Sequence, residues 1–221
     1  MSSATRGFCA ASVALVTFLT VSAATAAPFE FDAIQREDGL RVLAFGVLVG
    51  AAFGGERTVL ATYTDGSQST IEAGKGAFVG GGVRWTPLWY EKLVGLGLAL
   101  DVGWKGTGIY AENGNVYFTR VPLTLTARGS LALAQTFSFF AGAGGTLELA
   151  PYLHGDGVAT GLDVHFDTPV GGVLEVGLMW EAMHHIGIEL KGDAKFIRYH
   201  WADGSLDGNS FGFLLGVYGL I

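Results

Sequence analysis

Six basic and six acidic side chains stand at alternate positions in segments that are otherwise apolar or small: Arg84, Lys105, Arg120, Arg128, Lys191 and Lys195, with Asp101, Glu148, Glu175, Glu181, Glu189 and Asp193. Charge at every second residue of an extended run lies on one face, because successive strand side chains point to opposite sides. Gathered into a confined interior, such groups must pair or be hydrated, since an isolated buried charge costs about several kcal/mol. Two chemistries follow: a ladder of salt bridges that fills the interior, or a gated path for ions.

Other candidates carry less. His154, His165 and His200 fall in or beside two stretches that read as neighbouring loops, with Asp156, Asp163 and Asp167 close by. That is a nitrogen and oxygen donor set of the kind that holds a divalent metal, but the spacing matches no ligand motif. His184-His185 falls at a short turn at the opposite end of the strands. Asp203, Asp207 and Asn209 lack the bidentate Glu of a calcium loop, and turn chemistry accounts for them. No GxSxG, phosphate loop or dinucleotide fingerprint is present. No catalytic residue, cofactor or metal is assigned, and the chain is read as non-enzymatic.

The elements that must position the charges are strands. From Val94 to Lys105, Val94, Leu96, Leu98, Leu100, Val102 and Trp104 share one face, and Gly95, Gly97, Ala99, Asp101, Gly103 and Lys105 the other. The same period predicts strands over residues 40–52, 78–86, 94–105, 116–128, 136–150, 170–182, 186–199 and 211–221. Connections alternate between long (53–77, 106–115, 151–169, 200–210) and short (87–93, 129–135, 183–185), as in a membrane barrel with long loops outside and short turns in the periplasm. Eleven residues at about 3.3 Å, tilted by roughly 40°, cross about 28 Å, close to the apolar band of such a barrel. Aromatic residues collect at strand ends, with Trp85, Trp89, Tyr90, Phe137 and Trp180 on the inner side and Phe53, Trp104, Tyr117, Tyr199 and Trp201 on the outer, which predicts two interfacial girdles.

The ends and the composition agree with export. Residues 1–26 carry Arg6, an uncharged and mostly apolar run from Phe8 to Ala24, and the small-x-small sequence Ala24-Thr25-Ala26, the pattern of a secretory signal peptide. The only cysteine, Cys9, lies within it, so no disulfide is expected. Half of the chain is hydrophobic, yet beyond residue 26 no uninterrupted apolar run reaches the roughly eighteen residues that a membrane helix needs. The net charge of -7 argues against a nucleic-acid binder, which needs clustered Lys and Arg.

The segments Phe45-Gly46-Val47-Leu48-Val49-Gly50, Gly82-Val83-Arg84-Trp85-Thr86-Pro87, Ala141-Gly142-Ala143-Gly144-Gly145 and Phe213-Leu214-Leu215-Gly216-Val217-Tyr218 resemble the small eight-stranded outer-membrane barrels related to the transmembrane domain of OmpA. The resemblance implies an aromatic last residue read by the barrel assembly machinery; here Ile221 stands on the face of Phe211, Phe213, Leu215 and Val217. The expectation is an all-β chain, an eight-stranded antiparallel up-and-down transmembrane β-barrel over residues 40–221. It follows a signal peptide at 1–26 and a short periplasmic lead-in at 27–39. It is expected to be a monomer in the bacterial outer membrane, in contact with lipid, lipopolysaccharide and the assembly machinery. The expected role is structural, or surface interaction through the outer loops, with the lumen plugged by the charge network. The alternative is a small ion or solute channel. A third reading, a lipid A-modifying enzyme, requires a loop histidine to meet an acid and a hydroxyl at the outer rim.

Overall fold

The structure is a computed structural model and describes residues 42–63, 68–111, 113–202 and 204–221. The expected signal peptide and lead-in, with Arg6 and Cys9, lie outside the described residues, as does Asp203. The described chain forms β1 (Leu43–Phe53), β2 (Arg57–Thr62), β3 (Gln68–Glu72), β4 (Gly76–Tyr90), β5 (Val94–Ala111), β6 (Gly114–Ala132), β7 (Phe137–Gly155), β8 (Asp163–His165), β9 (Val170–Met183), β10 (Ile186–Phe196), β11 (Arg198–Trp201), β12 (Gly204–Asp207) and β13 (Ser210–Leu220).

Eight of these strands, β1, β4, β5, β6, β7, β9, β10 and β13, pair antiparallel, each with its predecessor and successor, and β1 pairs with β13 to close the sheet. Paired residues followed from Leu43 through Trp85, Leu98, Ala127, Ala143, Leu174, Ala194 and Phe211 arrive at Phe53, ten residues further along β1. That stagger over eight strands tilts them by about 40° and leaves a bore that side chains alone can fill.

The two faces sort as the alternation requires. Leu96, Leu98 and Leu100 are 55%, 42% and 38% exposed on the outer wall, whereas Asp101 is 6% exposed inside. Phe45, Val47 and Val49 on β1, Leu174 and Val176 on β9, and Phe211, Phe213, Leu215 and Val217 on β13 continue the outward apolar band. Only a closed barrel or a helix can satisfy every backbone group in lipid, and no helix of the described residues is long and apolar enough to cross a membrane.

Three features differ from expectation. Residues 106–115 do not loop: β5 continues to Ala111 and β6 starts at Gly114, while β7 runs on to Gly155. At about 3.3 Å per residue and this tilt, eighteen or nineteen residues rise well beyond a band of roughly 25 Å. The strands therefore form a wall above the membrane.

Second, the remaining outer segments fold together over the barrel mouth instead of standing free. Ile71, Ile109, Val116, Phe118, Leu153, Phe166, Ile197, Tyr199 and Leu206 are buried in one cluster. Phe118, Phe166 and Tyr199 meet edge to face at 5.5 to 5.6 Å, and Trp201 sets an edge against Phe166. Tyr199 and Trp201 thus belong to this cap and not to an outer girdle. The strand expected over 186–199 breaks at Ile197, whose N–H donates to the Asn209 Oδ1 at 3.1 Å, and the β11–β12 hairpin carries Tyr199 inward.

Third, the register between β4 and β5 shifts between Trp85 and Leu88. Such an irregularity exchanges the faces beyond it, so Trp89 lines the periplasmic mouth of the lumen. Trp85, Tyr90, Phe137 and Trp180 face outward there, the last two stacked at 5.9 Å. Tyr117 packs edge-on against Tyr110 on the wall above the band.

Since Cys9 is the chain's only cysteine, single-cysteine variants of the exported barrel report position cleanly. Cysteine at Leu96, Leu98 or Leu100, refolded into vesicles, is expected to react with a lipid-dissolved label, and cysteine at Ala99, 2% exposed, is not. The reverse pattern would invert the barrel.

Candidate functional site

The chemistry of the molecule is concentrated in the lumen. The structure places Arg84, Asp101, Lys105, Arg120, Arg128, Glu148, Glu175, Glu189, Lys191, Asp193 and Lys195 inside and buried. Glu181 differs: it is half-buried in a recess of about 70 Å³ at the periplasmic mouth, beside Trp89, Ser130 and Ser138, because it stands near the end of β9, where the lumen opens.

The buried charges form two groups. In the membrane-embedded half, six close a ring of alternating sign. Arg84 forks onto Glu189, Nε to Oε2 at 2.9 Å and Nη2 to Oε1 at 2.7 Å, and turns Nη1 to the Asp101 Oδ1 at 2.5 Å. Lys191 donates to the other Asp101 oxygen and reaches the Glu175 Oε2 at 3.2 Å. Arg128 donates through Nε to Glu175 and through Nη1 to the Glu189 Oε2 at 2.8 Å, closing the circuit. The two guanidinium planes lie over aromatic rings, Arg84 on Tyr218 at 4.7 Å and Arg128 on Phe140 at 4.1 Å. The Thr126 hydroxyl donates to Glu175 at 2.6 Å.

Glycine makes room for the ring. A Cβ at Gly82 would stand 2.5 Å from the Asp101 Oδ1 and 2.8 Å from the Arg84 Nη1, and one at Gly142 would stand 3.0 Å from the Glu175 Oε1. On the β1 and β13 side the lumen is apolar, with Ala44, Leu48, Phe78, Leu214, Tyr218 and Leu220 packed together. A hydrogen-bonded pair at 2.9 Å, Thr124 with Thr146, and the side chain of Thr126 are buried toward the middle of the barrel.

The second group lies outward of these threonines. Arg120 approaches Glu148 at 2.9 Å and donates from Nη2 to the Lys75 carbonyl at 2.8 Å, while the Tyr199 hydroxyl donates to Glu148. Lys195 stands 3.9 Å from Asp193, and Lys105 completes the set.

The loop residues singled out as metal or catalytic candidates do not gather into one site. Asp156 accepts from the Asn115 backbone N–H at 2.6 Å and staples the β5–β6 hairpin. Asp207 binds Asn209 within its own turn. His184 and His185 meet edge-on at the periplasmic turn. No group of three His, Cys, Asp or Glu among the described residues could hold a metal ion.

One loop histidine does meet an acid and a hydroxyl at the outer rim. The His154 Nδ1 lies 2.6 Å from the Asp163 Oδ1, and the Tyr152 hydroxyl donates to that same oxygen at 2.6 Å. The hydroxyl also stands 3.1 Å from Nδ1, and His165 stacks on Tyr152. A hydrolytic triad puts its acid and its nucleophile on opposite imidazole nitrogens; here both crowd Nδ1. The cluster instead straps β8 to β7 through the register pair His154 and Asp163.

No family model matches the chain, and no curated protein matches it by sequence. Among solved structures it is similar to Neisserial surface protein A, at 12% identity and a TM-score of 0.52, over 83% of this chain and 100% of that one. With the closed eight-strand register, that likeness decides the fold. The chain has the fold of the eight-stranded outer-membrane β-barrels. The barrel is also similar to OprG of Pseudomonas aeruginosa (10% identity, TM-score 0.48, 83% and 98% covered) and to the attachment invasion locus protein of Yersinia pestis (10%, 0.48, 82% and 100%).

Two predictions follow from the barrel's polar groups. Glu189→Gln leaves Arg84 and Arg128 sharing a neutral acceptor, and breaking a buried pair from one side costs about 3–5 kcal/mol. Denaturant unfolding in detergent should show that loss, whereas the exposed Glu91→Gln should change stability by under about 0.5 kcal/mol. At the rim, the hydrogen bond from Tyr152, and then the contact with His154, hold the Asp163 carboxyl below its usual range. A depressed carboxyl stabilises above its unfolded value of about 3.9 and ceases to do so as the pH falls through its folded value. Protection of the Val164 amide, its exchange compared with that of a free amide at the same pH, should therefore fall below about pH 4. Asp163→Asn should show the lower protection already at neutral pH.

Proposed function

We propose that the barrel is a non-conducting, non-catalytic outer-membrane protein whose work is done at its outer surface. The observation that carries this reading is the closed ring of Arg84, Asp101, Lys191, Glu175, Arg128 and Glu189, set across a bore narrow enough for side chains to fill. An open ion path needs charges free to exchange partners with a passing ion. In the ring, each charge is held by two of opposite sign.

The packed cap supports the same reading. It holds the outer segments in one arrangement, as a binding surface requires, and presents exposed carboxylates such as Glu56, Asp163 and Asp167 at the level of lipopolysaccharide. We assign to them an association with divalent cations that bridge neighbouring lipopolysaccharide molecules. The likeness to solved barrels extends to the fold alone, and this role rests on the barrel's own residues.

Single-channel recording on the refolded barrel tests the reading, with insertion checked by a heat-dependent shift on a denaturing gel. A silent, inserted barrel is expected. Steady conductance would overturn the plug and favour the small channel, with the ring as its constriction.

A further inference from the structure

The outer group of lumen charges does not balance. Lys105, Arg120 and Lys195 face two carboxylates, Glu148 and Asp193, so the stretch of lumen between the ring and the cap, its outer chamber, buries one more basic than acidic side chain. The ring beneath is neutral and each of its members is already engaged, so it offers no spare carboxylate.

The donors of this chamber are also incompletely used. Lys105 is 2% exposed, and among the described residues it forms no ion pair. Arg120 is 1% exposed; among the described residues its Nη1 has no hydrogen-bond partner, and neither does the buried Ser210 hydroxyl. Lys195 is held only loosely, at 3.9 Å from Asp193. Lys105 stands opposite Arg120 in the β5–β6 register, and Lys195 opposite Ser210 in the β10–β13 register. Two adjacent pairs of donors thus enter the chamber from different parts of the wall. A buried, uncompensated charge and orphaned donors both carry large penalties, and one negatively charged acceptor removes both.

We propose that this chamber binds a small monovalent anion of halide type, held by Lys105, Arg120 and Lys195 with the Ser210 hydroxyl. The excess of a single charge selects a monovalent ion. The ring below and the aromatic cap above, with Phe118 and Tyr199 fully buried, restrict it to a compact one. The role is structural neutralisation and is independent of whether the lumen conducts.

Two measurements on the whole barrel test this. Crystals grown in sodium bromide should give an anomalous peak among Lys105, Arg120, Lys195 and Ser210. Thermal unfolding of the refolded barrel in sodium chloride, against sodium gluconate at equal ionic strength, should show a saturable rise in Tm, roughly 3–6 °C at ten times the dissociation constant. Lys105→Met removes the excess charge and should abolish the chloride effect, while Lys92→Met at the periplasmic turn should keep it. If Lys105→Met does not fold, the bromide map and the salt series on the unaltered barrel decide. No bromide in the chamber, or equal melting in chloride and gluconate, would overturn the site and leave Lys105 as a neutral or hydrated amine.

Discussion

Closure of the sheet is the constraint on which the rest depends. In lipid every backbone N–H and C=O must find a partner within the protein, so no barrel strand may be left as an edge and β1 must meet β13. Closing eight strands with a stagger of ten residues sets tilt and bore together. Once the bore is that narrow, water cannot fill it freely, and inward charges pair within it, across the bore as Arg84 with Glu189 and between neighbouring strands as Arg84 with Asp101. The alternating ring follows from this geometry: Arg84 comes from β4, Asp101 from β5, Arg128 from β6, Glu175 from β9, and Glu189 and Lys191 from β10.

The same constraint shapes the outside. Apolar residues such as Leu98 and Phe213 lie exposed on the wall, an arrangement stable only against lipid. Where β5, β6 and β7 rise above that band, water returns and the inward face becomes apolar, with Ile109, Val116, Phe118 and Leu153. The lumen therefore holds its charged ring where the exterior is greasy and turns apolar where the exterior is wet. The cap is a small soluble-type core standing on a membrane-type wall.

The barrel strands were legible because their period is two and their boundaries are marked by turns: Val94 to Lys105 reads as a strand without help from any other segment. The inward face of the twelve charged residues could be read in the same way, and only Glu181, near the end of β9, is left half-buried. Tyr199 and Trp201 were legible too, since they share the face of Lys191, Asp193 and Lys195; grouping them by chain end instead of by face misplaced them. The cap was not legible. Its core joins Ile71, Phe166 and Leu206, residues from segments distant in sequence, and nothing local to any of them announces the others. Gly106, Gly108 and Gly114 read as loop, and contacts made only in the closed barrel carry β5 and β6 through them. The shift beyond Trp85 is likewise a property of the pairing with β5. Which carboxylate meets which guanidinium depends on the stagger, which no single strand encodes.

The ring also imposes an order on how the barrel can be made. Glu189 lies 105 residues from Arg84 and 61 from Arg128, so neither arginine gains this partner until β10 has been threaded. Until then Arg84 has Asp101 of β5 and Arg128 has Glu175 of β9, and water must satisfy the rest of each guanidinium. A half-built barrel must stay wet inside, and expelling that water belongs to the end of assembly, when β10 and β13 arrive and the wall closes behind them.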